Sequence, residues 1–372
     1  MTTPRFAHGL VIGKFYPPHA GHHFLIRTAA ASCARVTVVV MAADVESVPL
    51  ATRVGWLREA CAGEPGLAVT GVVDNLPVDL ESEDIWAGHV ALMREGVALG
   101  PHADRPVDAV FSSEGYGTEL ARRFGAAAVL LDPPRETFAV SATKVRADPV
   151  AHWDLLEPPV RAWFTRRVVV LGAESTGTTT LSRDLAAALR GRGGVHTLTG
   201  WVPEYGRELT VVKLALARAV ADPAGPVPTV FDLEWDDADF ETVVRRQAAD
   251  EERAARAGGP VLVCDTDALA TTVWQERYRG RGTAAVRDLA AAVPPRALYL
   301  LTSDDGVPFD DDGLRDGEEL RPWMTGRFRK VLADQDVPWT ELRGDRATRL
   351  AAALEQVDLL LARGWGLADP LG

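Results

Sequence analysis

Lysine is scarce in this chain. Only Lys14, Lys144, Lys213 and Lys330 occur among 372 residues, and arginine supplies the rest of the 40 basic side chains. Where a generic positive charge suffices the sequence uses Arg, so a Lys inside a motif marks a specific need. Cysteine is sparser still. Cys33, Cys61 and Cys264 are widely separated, with no pair at metal-ligand spacing. That excludes a zinc ribbon or a disulfide scaffold and fits buried thiols in a reducing compartment. No apolar run approaches the roughly 20 residues a membrane helix needs, and the opening "MTTPRFAHGLVIGKF" lacks a signal-peptide pattern. A basic excess is missing too. The net charge is -12 and the pI is near 5.2, which argues against the basic face that general nucleic-acid binding requires. The expectation is a cytoplasmic protein with neither a membrane nor a nucleic-acid partner. Self-association is left open.

What the chain does contain is ordinary globular material, 47% hydrophobic and 25% charged, enough for two domains with their own cores. Short β-rich runs alternate with longer amphipathic ones. "GLVIGKF", "RVTVVVMAA", "VDAVFSS" and "AAVLL" read as strands, with "HHFLIRTAAASCA" as a helix between the first two. The pattern restarts at "RRVVVLGAE", followed by a helix "TTTLSRDLAAALRGRG" and strands in "GPVLVCDTD" and "RALYLLTSD". Alternation of this kind predicts an α/β protein with two parallel sheets wrapped by helices. The junction near Phe164 divides it into domains 1–164 and 165–372. Two stretches lack periodicity, "ADPAGPVPTVFDLEWDDADFE" and "VPFDDDGLRDGEELRPW". Long polar connections after strands are either solvated loops or lids over a site.

The most specific stretch is "GKFYPPHAGHHFLI". A strand ends at Gly13, a turn carries Lys14, Phe15 and two prolines, and His19-Ala20-Gly21-His22 opens a helix. Glycine lets a phosphate approach the backbone, and a helix N-terminus favours negative charge. Two imidazoles three residues apart share a helix face and can donate to phosphate oxygens. Downstream, "VSATKVR" offers hydroxyls from Ser141 and Thr143 and positive charge from Lys144 and Arg146. Two of the four lysines fall inside these two motifs. His8, His89, His102, His152 and His196 have no such context and read as structural or exposed. Arg53, Trp56, Trp86 and the pair Asp74-Asn75 read equally well as packing, as surface or as contacts to a nucleotide base.

The second half carries "GAESTGTTT", between a strand and a helix. It has the spacing of a phosphate-binding loop, Gly172 and Gly177 enclosing four residues, but Thr178 stands where such loops carry Lys. Backbone N–H groups of the loop cradle phosphate whatever the side chains. Ser175, Thr176, Gly177, Thr178, Thr179 and Thr180 line that cradle, and Thr179 stands where the Mg²⁺-binding hydroxyl belongs. Loss of the lysine removes one charge where three or four negative charges gather. Such a loss costs on the order of 10²-fold in rate unless it is replaced. Either the domain now only binds nucleotide, or another cation fills the gap: Arg207, Arg315, Arg321 or Lys213.

HxGH with a later SxTxxR-like run resembles the nucleotidyltransferase superfamily. Within it, the chain resembles the bifunctional NadR type of nicotinamide mononucleotide adenylyltransferase across nearly its whole length. The resemblance continues through "VVVLGAEST", "VPEYGRE", "DADFETVVRRQ", "VCDTD" and "FDDDGLR", in that order. It implies a Rossmann-like first domain, with Gly13, Phe15 and Gly21 around the nucleotide and His19 and His22 on the ATP phosphates. It further implies that Lys14, Ser141, Thr143, Lys144 and Arg146 hold the phosphate chain and the leaving pyrophosphate. For the second domain it implies a ribosylnicotinamide kinase. There Asp265 and Thr179 would hold Mg²⁺, Asp267 the ribose hydroxyls, Glu204 the nucleoside 5′-hydroxyl, and Arg207 and Arg315 phosphate charge. The implied substrates are ATP, nicotinamide mononucleotide and nicotinamide riboside. The helix-turn-helix module of some members is not recognisable in the sequence, and no repressor function is expected. The alternative is an adenylyltransferase for another phosphate monoester, with a catalytically silent, nucleotide-sensing second domain.

Overall fold

The computed structural model describes residues 4–79, 81–134, 136–310 and 317–371. The chain forms two compact units, Met1–Val160 with Trp365–Gly372, and Arg161–Gly364. The division falls inside the helix Pro158–Phe164, within one turn of the expected junction. The far C-terminal segment, expected in the second domain, clusters instead with the first unit.

In the first unit the order is β1 (Phe6–Gly13), α1 (Ala20–Ser32), β2 (Cys33–Ala42), α2 (Leu50–Ala60), β3 (Leu67–Val73), α3 (Glu83–Ala98), β4 (Ala109–Ser112), α4 (Gly117–Phe124), β5 (Ala127–Leu130) and α5 (Ala142–Ala147). The straddling helix Pro158–Phe164 is α6. The sheet order is β3-β2-β1-β4-β5, with every pairing parallel. Alternate residues feed opposite faces. Val11, Val36, Val38 and Val40 pack on one side against Leu25, Ile26 and Leu57. Leu10, Val39 and Met41 pack on the other against Trp86, Val90 and Met93. Burial on both faces is why these strands read as unbroken apolar runs, and each fully buried Val or Leu contributes about 1.5–3 kcal/mol. A Cβ on Gly96 would sit 2.4 Å from Val39 Cγ1, so only glycine lets α3 lie this close to β2.

The second unit continues with β6 (Arg166–Gly172), α7 (Thr178–Arg190), β7 (Gly200–Val202), α8 (Tyr205–Val220), α9 (Asp237–Ala257), β8 (Val261–Asp265), α10 (Ala268–Arg279), α11 (Ala284–Ala291), β9 (Leu298–Thr302), α12 (Arg321–Ala333), β10 (Trp339–Leu342) and α13 (Arg346–Ala362). Its order is β10-β9-β6-β8-β7, again all parallel. In both sheets the first strand of the unit is central and the connections diverge to either side of it. That topological switch point opens a crevice beyond the strands' carboxyl ends, and both motif loops leave the sheet there. Among the described residues no helix is long and apolar enough to cross a membrane, and all three cysteines are buried thiols.

Candidate active sites

The first site grows from the turn after β1. Phe15 takes φ 46° and tucks its buried ring against Gly13, so Phe15 supports the turn and does not line the cavity. His19 is the N-cap of α1, in extended conformation, and forms a reciprocal capping box with His22. The His19 N–H donates to His22 Nδ1 at 3.3 Å. With Nδ1 accepting, the proton of the neutral ring sits on Nε2, which becomes a donor. The two imidazoles lie with centroids 3.8 Å apart, their planes tilted by 34°, and Phe15 meets His22 edge-on at 5.0 Å.

The second motif forms α5, a single-turn helix capped by Ser141, whose Oγ accepts from the Lys144 N–H at 3.2 Å. It closes onto the first motif. Arg146 Nη1 donates to the Tyr16 carbonyl at 2.6 Å, and Nη2 to Thr143 Oγ1 at 3.2 Å. The Tyr16 ring lies between two guanidiniums, Arg146 at 4.9 Å and Arg53 at 4.2 Å. One cavity gathers Gly13, Lys14, His19, Gly21, His22, Ser141 and Thr143, with Ser112, Tyr116 and Asp132 opposite. Lys144 and Arg146 stand outside it. The first donates to the Ala139 carbonyl, and the second braces Tyr16.

The base-contact candidates have other partners. Arg53 is fully buried and forms an ion pair with Glu46 at 2.6 Å. It also donates to the carbonyls of Val48 and Lys14, so it fixes the Lys14 turn from below. Asp74 pairs with His89 at 2.7 Å, Asn75 with Asp44, and Trp86 packs beneath Arg123. Trp56 is a buried core residue.

The second site is the loop between β6 and α7. Ser175 at φ 56° and Gly177 at φ 86° turn the chain. Gly172 is obligatory, because a Cβ there would meet Thr302 Oγ1 at 2.2 Å. Thr176 is a structural residue, its Oγ1 2.7 Å from both the Ala173 carbonyl and Thr302 Oγ1. Arg349 clamps the loop from behind through the carbonyls of Thr176, at 2.7 Å, and Ser303. Nothing in the sequence singled it out.

Asp265 closes β8 beside the loop, almost wholly buried. It lines one cavity with Thr178 and Thr179. Burial pushes its carboxyl up to about 6, against the opposing pull of Thr179, Arg183, Thr178 and Arg207. A buried carboxylate flanked by hydroxyls fits a hard cation such as Mg²⁺, which keeps waters and substrate phosphates as its remaining ligands. Among the described residues no group of three or more His, Cys, Asp or Glu forms a self-sufficient metal cage.

The cavity beside the loop is lined by Gly172, Ser175, Gly177, Thr178, Thr179, Thr180, Glu204, Arg207 and Asp265, whereas Thr176 and Asp267, also expected here, do not line it. It also has an aromatic wall that sequence reasoning missed, Trp235, Phe240, Trp274 and Tyr278. Trp235 and Tyr278 stack at 5.4 Å, and Trp274 and Tyr278 at 6.2 Å. These rings come from the start of α9, the loop before it, and α10, and no short motif unites them. Tyr278 and Trp274 also face Arg277, which pairs with Glu174 of the loop at 3.0 Å.

Asp267 does not reach the cavity: it is the buried N-cap of α10. Its Oδ1 accepts from the Ala270 N–H, and its Oδ2 from Arg296 Nε and the Tyr299 hydroxyl, each at 3.0 Å. Of the candidate replacement cations, Lys213 is paired with Asp239 at 2.5 Å, and Arg321 is buried beside Phe309. Arg315 lies outside the described residues. Arg207 is the only cation among the described residues lining the cavity.

An AAA-domain family matches residues 167–349. The chain is 24% identical over 321 residues to the trifunctional NAD biosynthesis/regulator protein NadR of Escherichia coli K12, covering 82% of this chain and 71% of that protein. Identity to NadR of Salmonella typhimurium LT2 is the same, with the same coverage. The chain is a homologue of NadR. NadR crystal structures share the fold: one in complex with NR superposes with a TM-score of 0.70 at 24% identity, covering 95% of this chain and 96% of that one. A second, with NAD and AMP-PNP, gives 0.70 at 23% identity, covering 95% and 98%. The similarity to NadR therefore spans both α/β units, consistent with the order of motifs in the sequence.

Proposed function

We propose that this chain is a bifunctional enzyme of NAD biosynthesis that transfers the adenylyl group of ATP to nicotinamide mononucleotide in its first unit and phosphorylates nicotinamide riboside in its second. The NadR relatives act in NAD biosynthesis, and NadR structures hold NR, NAD and an ATP analogue. The observation that carries the reading is the first cavity, where the adjacent rings of His19 and His22 share one space with Lys14, Ser141 and Thr143.

In the first unit no protein nucleophile is required. The phosphate oxygen of the mononucleotide attacks the α-phosphorus of ATP in line, and pyrophosphate leaves. His22 Nε2 and His19 donate to the oxygens on which charge builds, while Ser141 and Thr143 hold the departing phosphates. Lys144 and Arg146 act at one remove, by fixing the second motif and the Tyr16 turn.

In the second unit the aromatic wall suits a flat pyridinium ring, whose positive charge is favoured over π faces. Glu204, at the N-cap of α8, orients the 5′-hydroxyl and takes its proton as it attacks the γ-phosphorus of ATP. The loop amides hold the β- and γ-phosphates, and Arg207 supplies the cation that Thr178 does not. Asp265 and Thr179 would hold Mg²⁺, which would supply neutralising charge for the phosphate oxygens. The test is incubation with Mg-ATP and the mononucleotide. NAD with stoichiometric pyrophosphate supports the first-unit reading, and absence of NAD redirects it to another phosphate monoester.

A further inference from the structure

We propose that the C-terminal segment, residues 365–371, is a positioning strap of the first unit's site, holding Lys14 and Tyr16 in the arrangement that adenylyl transfer uses. The inference rests on the adenylyl-transfer reading of that unit. Three hydrogen bonds close a ring between the segment and the Tyr16 turn. The Tyr16 hydroxyl donates to the Ala368 carbonyl at 2.8 Å, the Ala368 N–H donates to Ser47 Oγ at 2.8 Å, and the Ser47 N–H donates to the Tyr16 hydroxyl at 3.0 Å. Further along, Lys14 Nζ donates to the Leu371 carbonyl, 357 positions away in sequence.

The consequence for Lys14 follows from its donor count. An ammonium has three N–H donors. One is taken by the Leu371 carbonyl, and the Glu46 carboxylate lies 3.5 Å away. Two fixed partners orient the stem, and the third donor is left for an anion in the cavity that Lys14 lines. A lysine already ordered loses less rotamer freedom when it binds phosphate. The Tyr16 ring, stacked between Arg53 and Arg146, transmits the restraint from the segment to both motifs.

The experiment compares the intact chain with a variant ending at Gly364 and with the variants Ala368→Pro and Ser47→Ala, which lose opposite ends of one bond. Steady-state adenylyl transfer and melting temperature are measured on each. Truncation is expected to lower kcat/KM for the mononucleotide about tenfold, mostly through KM, and each point variant by a smaller factor in the same direction. The melting temperature is expected to stay within a few degrees. A synthetic peptide of residues 365–372, added at millimolar concentration to the truncated chain, restores part of the lost KM. Unchanged kinetics in all three variants overturns the proposal. A rise in activity on truncation also overturns it, in favour of a segment that blocks the site. Activity lost only together with the fold in the truncated chain, with both point variants kinetically normal, overturns it in favour of simple packing. An intact chain that makes no NAD would instead refute the adenylyl-transfer reading itself.

Discussion

Thr178, at the lysine position of the phosphate loop, lines one cavity with Asp265 and helps hold that carboxyl down against the upward push of burial. A threonine brings no charge to that place, so the loop itself offers amides and hydroxyls. In the proposed mechanism Arg207, which lines the same cavity, supplies the positive charge for the transferred phosphate. Arg207→Ala should lower kcat/KM for riboside phosphorylation by about 10²-fold or more. Thr178→Lys in that background should recover a large part of the loss. Steady-state kinetics on the single and double variants checks both, and an active Arg207→Ala enzyme would assign the charge elsewhere.

The imidazole pair makes a separable prediction. His19→Ala and His22→Ala should each reduce kcat for adenylyl transfer by roughly 10²–10³-fold, because each removes a donor from the phosphate oxygens. His22→Ala should also destabilise the start of α1 by about 1 kcal/mol, because it removes the acceptor of the His19 N–H. Riboside phosphorylation should stay unchanged in both variants. Parallel assays of the two half-reactions decide it.

Glu204 distinguishes catalysis from sensing. Glu204→Gln keeps the shape of the α8 N-cap and removes the proton acceptor. Phosphorylation should fall by roughly 10²–10⁴-fold, while ATP binding measured by calorimetry stays within about twofold. A variant that phosphorylates normally would remove Glu204 from the mechanism.

The buried cluster behind the second cavity sets a pH dependence. Glu251 shares the Arg296 guanidinium with Asp267, at 2.8 and 3.0 Å, and burial pushes its carboxyl up to about 7 from an ordinary 4.5. The folded state therefore binds more protons than the unfolded state between these values. This contribution to stability is full below about pH 4.5 and is lost as pH rises through about 7. Glu251→Gln should gain in melting temperature relative to the parent as pH rises from 5 to 8. A gap that stays constant or narrows contradicts the assignment.

Both motif loops were legible because each is local: strand, turn and helix are contiguous, and glycine, histidine and hydroxyl positions follow from the turn. The parallel sheets were legible for the same reason, since strands buried on two faces give apolar runs such as "VVVLG". Asp265 and Asp267 show the limit. Both follow the same buried strand, yet one faces the loop and the other caps α10 beneath Arg296 and Tyr299. That choice is made by tertiary partners. The aromatic wall, Arg349 behind the loop and the C-terminal segment on Tyr16 likewise depend on residues distant in sequence, and no spacing announces them.

The most direct test of the bifunctional account is one incubation of the intact protein with Mg-ATP and nicotinamide riboside, read by mass spectrometry. The account predicts the mononucleotide as an intermediate, then NAD, with ADP and pyrophosphate both released. If NAD forms from the mononucleotide but the riboside is recovered unchanged, the bifunctional claim fails, and the loop with Thr178 binds nucleotide without transferring phosphate.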